Sequence, residues 1–387
     1  VQVSQQRFFL DPQVKPQTQQ TWTIPVCFAA GAGQAKCSVM DQAQQAVSVP
    51  AGSLIYPDAG GRGYYRFTLP NSVYAEVAAS AETDLTPEER ISLLGDQWAG
   101  VRSNHDAVGD YLNLVAALKD DTNPAVISTA VRPLAIIDQQ IAQTPQEKQA
   151  IAAWVVKTFK PAYTQLGPPA ETDTPDKREL RAALFGLLGS IGEDPEVIAQ
   201  AKTMAEQALK DPGSVDPNLA QTAMALAAAN GDASFFDELQ HTYETAQNPQ
   251  RQERALELLA TFRNPELEKR SLEYAVSGKV RNQDAVFQFI LPLMRPQTRD
   301  VAWDFIRNNW DKVQAQLTTS MGAYLVGSTG AFCSEEKKQE VASFFATHKV
   351  AAASRSLTRA QDAIDACVEL RKDQGPKLEQ WIAQEQR

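Results

Sequence analysis

The sequence predicts a mainly α protein: an irregular α-superhelix of stacked helix pairs, preceded by a small β-sandwich. Three observations carry that expectation. Residues 1–70 read as short apolar runs separated by Pro, Gly, Asp and Gln, the punctuation of strands and turns. From Asn71 onward Ala, Leu and Glu dominate and apolar residues recur three and four apart, the period of a helix with one buried face. Prolines then fall repeatedly just behind Asp, Asn or Thr. That order starts a helix, because the first side chain caps it and the proline lacks only an N–H that the first turn would not use.

In chain order, the β part (1–70) carries strand-like runs at 1–10, 21–28, 35–40, 45–50, 53–57 and 64–69. Several short strands at this spacing suggest a small sandwich. The stretch "DAGGRGYYRFT" (58–68) has the glycines of a phosphate-binding loop, but such a loop must open a helix. Here Tyr64, Tyr65, Arg66 and Phe67 follow, so Asp58, Gly60, Gly61 and Gly63 are expected to form a turn feeding a strand.

The second part (71–387) opens with "LTPEERISLLGDQWAGV", where Thr86 caps, Pro87 takes the first turn, Glu89 completes a capping box, and Ile91, Leu94 and Trp98 line one face. Similar starts follow at Asn123-Pro124, Thr144-Pro145, Asp194-Pro195, Asp216-Pro217, Asn248-Pro249 and Asn264-Pro265. Their spacing has no strict period, so the expected array is related in form to HEAT repeats without being regular. Stacked pairs curve, and the concave face is where a partner would sit.

The net charge of −10 over 387 residues lacks the basic footprint that a nucleic-acid partner requires. It is unevenly spread: residues 1–70 hold five cationic and three anionic side chains, a balance of +2, which leaves −12 for the remainder. No run of 18 apolar residues occurs, so no membrane span is expected. The chain begins at Val1 without an initiator Met or a signal-peptide pattern, which suggests a mature form or a piece of something longer.

Cys27 and Cys37 flank a loop with Gly31 and Gly33. If the flanking runs form a hairpin, the two face each other at disulfide distance, and Cys333 with Cys367 is then the second pair by elimination. The alternative is small buried hydrophobes. Disulfides would favour an exported protein, periplasmic or secreted, over a cytoplasmic one. His105, His241 and His348 sit in polar, helix-end-like contexts with no H-x-x-x-H pair, and Glu88–Glu89 and Glu335–Glu336 read as first-turn carboxylates favoured by the helix dipole. No self-sufficient active site emerges.

Taken together and in order, "QRFFLDPQ" with "TWTIPV", "GGRGYYRF", "LTPEERISLLGDQW", "NPELEKRSLEYAVSGKVRNQDAV", "AWDFIRNNWDKV" and "FCSEEKKQEVASFF" resemble the C-terminal half of the gluzincin aminopeptidases. These are the aminopeptidase N, puromycin-sensitive and endoplasmic-reticulum aminopeptidase-like zinc enzymes. "GGRGYYRF" is similar to the family's Gly-Tyr-Tyr-Arg-Val strand, at the seam between sandwich and helices, where Arg66 would order the strand. The resemblance implies a catalytic domain on the same polypeptide, holding zinc through an H-E-x-x-H helix and binding the substrate amine through G-x-M-E-N. Neither motif occurs in these 387 residues. This chain would then hold no metal or cofactor itself, would help enclose a chamber, and would bind or gate peptides. Arg263 and Arg281 are the expected contacts for a peptide's C-terminal carboxylate; alternatively, both close helix ends by bonding carbonyls. A scaffold binding a protein or peptide partner on its concave face is the non-enzymatic alternative.

Overall fold

The computed structural model describes residues 1–10, 14, 18, 20–29, 35–50 and 55–385. The loop with Gly31 and Gly33, and positions 53 and 54, lie outside the described residues. Four short strands form two antiparallel ladders: β1 (Gln2–Ser4) pairs with β4 (Gln44–Ala46), and β2 (Ile24–Phe28) with β3 (Lys36–Met40). Val26 and Phe28, two apart on β2, reach one face as strand alternation requires. There they join Met40 and Val47 in a small apolar cluster, against which Val3 of β1 also packs. Tyr56 exchanges backbone hydrogen bonds of 2.9 Å with Ala29 in an isolated antiparallel bridge.

The expected strand at 64–69 does not form; Tyr64 and Tyr65 lie in a bend, and the segment pairs with none of the described strands. Its polar groups go elsewhere. Tyr65 Oη donates to Pro57 O at 2.6 Å, Phe67 N donates to Asp96 Oδ2 at 3.3 Å, and Arg66 Nη1 meets Asp96 Oδ1 at 3.0 Å. Arg66 does order the segment, by tying it to a helix rather than to a ladder. The glycine-rich stretch before it is a turn, as the sequence suggests. Gly60 and Gly61 lie at φ +74° and +62°, and a Cβ on Gly61 would sit 2.8 Å from Glu88 O.

The first helices are α1 (Asn71–Asp84), α2 (Pro87–Arg102), α3 (Val108–Ala117), α4 (Pro124–Ile136), α5 (Pro145–Leu166) and α6 (Pro175–Ser190). Next come α7 (Pro195–Lys210), α8 (Pro217–Ala229), α9 (Ala233–Thr245), α10 (Pro249–Leu259), α11 (Pro265–Ala275) and α12 (Asn282–Leu293). Then follow α13 (Arg299–Asn308), α14 (Trp310–Gln316), α15 (Thr319–Ser328), α16 (Glu335–Thr347) and α17 (Ser354–Glu385). All seven proline starts named from the sequence open helices. The side chains of Thr86, Asn123, Thr144, Asp194, Asp216, Asn248 and Asn264 each accept a first-turn N–H. Sequential helices pack as pairs, α5 on α6, α7 on α8 and α9 on α10. The fold is therefore mainly α with a small β region in front.

By packing, the chain divides into two compact units, 1–192 with 370–387, and 193–369. In the first, α2 is buried on more than the one face expected, with Leu93, Leu94, Asp96, Gln97, Ala99 and Gly100 all buried, because α3, α4 and the 59–61 turn pack around it. The end of α17 closes this unit. Fully buried Gln374 donates through Nε2 to Val101 O at 2.9 Å and Asp106 O at 3.0 Å, and its Oε1 accepts from Val108 N at 2.9 Å. One amide thus serves a last-turn carbonyl of α2, a carbonyl of the α2–α3 turn and the first N–H of α3. Trp381 Nε1 donates to Asn113 Oδ1 one turn further on. In the second unit, Trp303 is fully buried, with the rings of Phe332, Phe344 and Phe345 set around it at centroid distances of 5.3–6.0 Å.

Replacing Gln374 by Ala orphans the Val108 N–H and takes one donor from each of two carbonyls, so stability should fall by about 1–3 kcal/mol. Urea denaturation of the variant checks this; a loss below about 0.5 kcal/mol contradicts the assigned role.

Candidate functional site

The two arginines singled out from the sequence both lie in the second unit, each just ahead of a helix. Arg263 follows α10 in a turn anchored by fully buried Phe262, and its backbone N donates to Ala229 O at 3.2 Å. Asn264 then caps α11 by accepting from Glu266 N and Leu267 N. The Arg263 guanidinium reaches Glu193, Nη1 to Oε1 at 2.8 Å. Glu193 itself sits at φ +48°, a left-handed conformation that side-chain-bearing residues adopt at a cost.

Arg281 occupies the N-cap position of α12. Its Nε donates to Asp284 Oδ2 at 2.6 Å, and Asp284 is buried in the first turn of α12 while Arg281 remains 61% exposed. Hydrogen bonding to Asp284 raises the Arg281 pKa, keeping it a fixed cation. The structure thus joins each arginine to a carboxylate. Arg295 bonds helix-end carbonyls, its Nη1 donating to Ala260 O at 2.9 Å and Leu291 O at 3.2 Å, at the ends of α10 and α12.

Arg295 has a buried carboxyl group near it that sequence reading missed. Glu268, on α11, is wholly buried and neither carboxylate oxygen has a hydrogen-bond partner. Burial pushes its pKa up to about 8, against the pull of Arg295. Burial also lowers the Arg295 pKa, with the Arg263 charge acting in the same direction. Nearby Ser271 Oγ donates to Gln288 Oε1 at 2.6 Å and Gln288 Nε2 to Leu256 O at 2.8 Å, both residues buried. In the sequence Glu268 is one more glutamate of "NPELEKRSLEYA". Its spacing from the buried Leu267, Ser271 and Leu272 is the only signal that it points inward.

Disulfides join Cys27 to Cys37, which are register partners across β2 and β3, and Cys333 to Cys367, which link the segment before α16 to α17. The second closes a loop of 34 residues in sequence separation, worth roughly 3–4 kcal/mol in chain entropy. His105 and His241 are exposed, the latter within α9 rather than at a helix end, and His348 stacks on Phe344 at 4.1 Å. Glu88, Glu335 and Glu336 lie in helix first turns, whereas Glu89 does more, since its Oε1 accepts from Gly60 N at 2.7 Å. The chain's residues do not fit a zinc site: among the described residues no three His, Cys, Asp or Glu side chains gather so as to hold a metal. No helix of the described residues is long and apolar enough to cross a membrane.

Residues 54–366 match the model of the ERAP1-like C-terminal domain, and the chain belongs to that family. Among its relatives is "Aminopeptidase M1" of Arabidopsis thaliana, 24% identical over 312 residues, 78% of this chain and 35% of that protein. "Aminopeptidase 2, mitochondrial" of Saccharomyces cerevisiae is 20% identical over 366 residues, 93% of this chain and 38% of that protein. "Aminopeptidase A" of Gloydius brevicauda is 22% identical over 401 residues, 98% of this chain and 42% of that protein. The chain therefore spans well under half the length of these relatives.

Because Glu268 is protonated in the folded protein and ionised in the unfolded chain between about pH 4.5 and 8, folded stability should decline as pH rises through that window. Glu268→Gln cannot ionise, so its stability gain over the parent should grow with pH by at most roughly 1.4 kcal/mol per unit and level off above pH 8. Denaturation of both proteins at pH 5, 7 and 9 tests this; a difference independent of pH contradicts it.

Proposed function

We propose, from that family membership, that this chain is the non-catalytic C-terminal region of a zinc aminopeptidase that removes N-terminal residues from peptides. It would help enclose the chamber and hold the peptide while a catalytic domain of the same polypeptide cuts. The observation that carries the reading is the family match over residues 54–366 in a sequence without H-E-x-x-H or G-x-M-E-N. Zinc would polarise the scissile carbonyl and activate water in the catalytic domain. This chain's own residues would bind and orient.

Arg281 is the better contact for a peptide carboxylate. Its Nε is taken by Asp284, which fixes the guanidinium plane and leaves the Nη edge as a fork that matches a carboxylate. Arg263 is already paired with Glu193, so a peptide carboxylate would have to compete for it. We also propose an exported location, periplasmic or secreted, for which the two disulfides are the support.

The test uses the intact polypeptide that contains this chain. Arg281→Ala should raise KM about tenfold for a peptide with a free C-terminal carboxylate, while the same peptide as its amide loses little. An equal loss on acid and amide contradicts a carboxylate contact, and an intact polypeptide that hydrolyses no peptide contradicts the aminopeptidase reading.

A further inference from the structure

In the first unit, α1, α2 and α3 enclose a cleft of about 280 Å³. One wall is apolar, made by Ala75 and Ala78 of α1, and the other carries Gln97 of α2, Asp106 of the α2–α3 turn, and Asp110 and Asn113 of α3. Nothing in the proposed peptidase role uses these groups.

The polar wall offers acceptor oxygens on Gln97, Asp106 and Asp110, beside the Asn113 amide. Gln97 is 2% exposed and its Oε1 has no protein hydrogen-bond partner, a condition that costs a buried amide about 1–3 kcal/mol unless a donor is supplied. The Asp106 carboxylate lies against the backbone of α2, so close that a Cβ on Gly100 would fall 1.8 Å from its Oδ2. Burial and the charge of Asp110 raise the Asp106 pKa, against the pull of His105 and Lys377. The Lys377 ammonium donates to Asn104 Oδ1 at 2.6 Å and to the Asp106 backbone carbonyl at 3.5 Å. Asp110 Oδ2 accepts from Ala107 N, the N-cap N–H of α3, at 3.2 Å. Asn113 Oδ1 is held in place by Trp381 Nε1 at 3.0 Å.

We propose that this cleft binds a small primary ammonium carrying a short apolar tail. The ammonium would donate to the Gln97 Oε1 and neutralise the Asp106–Asp110 pair, while the tail lies on the alanine wall. An ammonium has three donors and no acceptor, which suits a wall of carboxylate and amide oxygens. A dehydrated metal ion is a poorer match, because the described residues gather no three acidic, His or Cys ligands here. The ammonium could come from a free amine or from the amino end of a peptide. The proposal stands independently of the aminopeptidase reading.

The experiment is calorimetric and ligand-observed NMR titration of the full chain with butylammonium, leucinamide, a leucine-initiated tripeptide amide, and neutral N-acetyl-leucinamide. The first two should bind and the acetylated compound should not. Tighter binding of the tripeptide amide than of leucinamide identifies a peptide end as the ligand; its exclusion identifies a free amine.

Asp106→Asn with Asp110→Asn should weaken binding about tenfold or more. Gln97→Leu should also weaken binding but leave the thermal midpoint equal or higher, a pairing of effects that a purely structural glutamine would not give. Ala78→Leu should block the cleft with every charge in place. The proposal is overturned if butylammonium shows no binding up to about 10 mM, beyond which affinity has little meaning. It is equally overturned if the acetylated compound binds as well as leucinamide, or if Ala78→Leu leaves binding unchanged. Should the aspartate variants fail to fold, the comparison of charged and neutral ligands on the parent chain decides.

Discussion

Three buried carboxylates along α2 and the turn that meets it fix how the β part joins the helices. Asp58, Glu89 and Asp96 are each more than nine-tenths buried, and each is satisfied by backbone N–H groups. Asp58 Oδ1 accepts from Gly63 N at 2.7 Å, Glu89 Oε1 from Gly60 N at 2.7 Å and Oε2 from Thr86 N at 2.9 Å, and Asp96 Oδ2 from Phe67 N at 3.3 Å. Ser92 Oγ adds a bond to Asp58, and Tyr56 Oη donates to Glu89 O. A buried carboxylate left unpaired would cost several kcal/mol, so the turn, the segment 64–70 and the start of α2 stand or fall together. Burial still leaves its mark, raising the Asp96 pKa to about 6 despite Arg66 and the Phe67 N–H.

The glycines follow from that constraint. The turn must come within hydrogen-bond range of α2, and a Cβ on Gly63 would lie 2.3 Å from the Tyr65 ring and 2.8 Å from Asp58 Oδ1. What reads in one dimension as a phosphate loop or a turn before a strand is a close approach of two backbones, joined by carboxylates.

Local chemistry made much of this legible. A capping side chain followed by proline satisfies an orphan N–H within three residues, so the seven helix starts could be read directly from neighbours in sequence. The β2–β3 ladder was legible from the symmetry of Cys27 and Cys37 about their loop. Contacts made at a distance left no such trace. Segment 64–69 has strand propensity, yet its backbone bonds to a side chain 29 residues on. Gln374 joins α17 to a residue 266 positions earlier, and Glu268 is told from exposed glutamates only by what packs over it. Arg263 and Arg281 were found by resemblance, but their carboxylate partners, one 70 residues away and one three away, came only with coordinates.

The proposed division of labour sets an acidic, helical chain of the ERAP1-like C-terminal domain family, in which no described residues gather as metal ligands, beside a catalytic domain that the same polypeptide would carry. Arg263 and Arg281 are paired with Glu193 and Asp284, and caps, buried amides and two disulfides secure the fold. The most direct test is the nucleotide sequence of the reading frame upstream of Val1. The account predicts several hundred codons that include H-E-x-x-H with a downstream Glu and G-x-M-E-N, whereas a start codon or a signal sequence immediately upstream would contradict it.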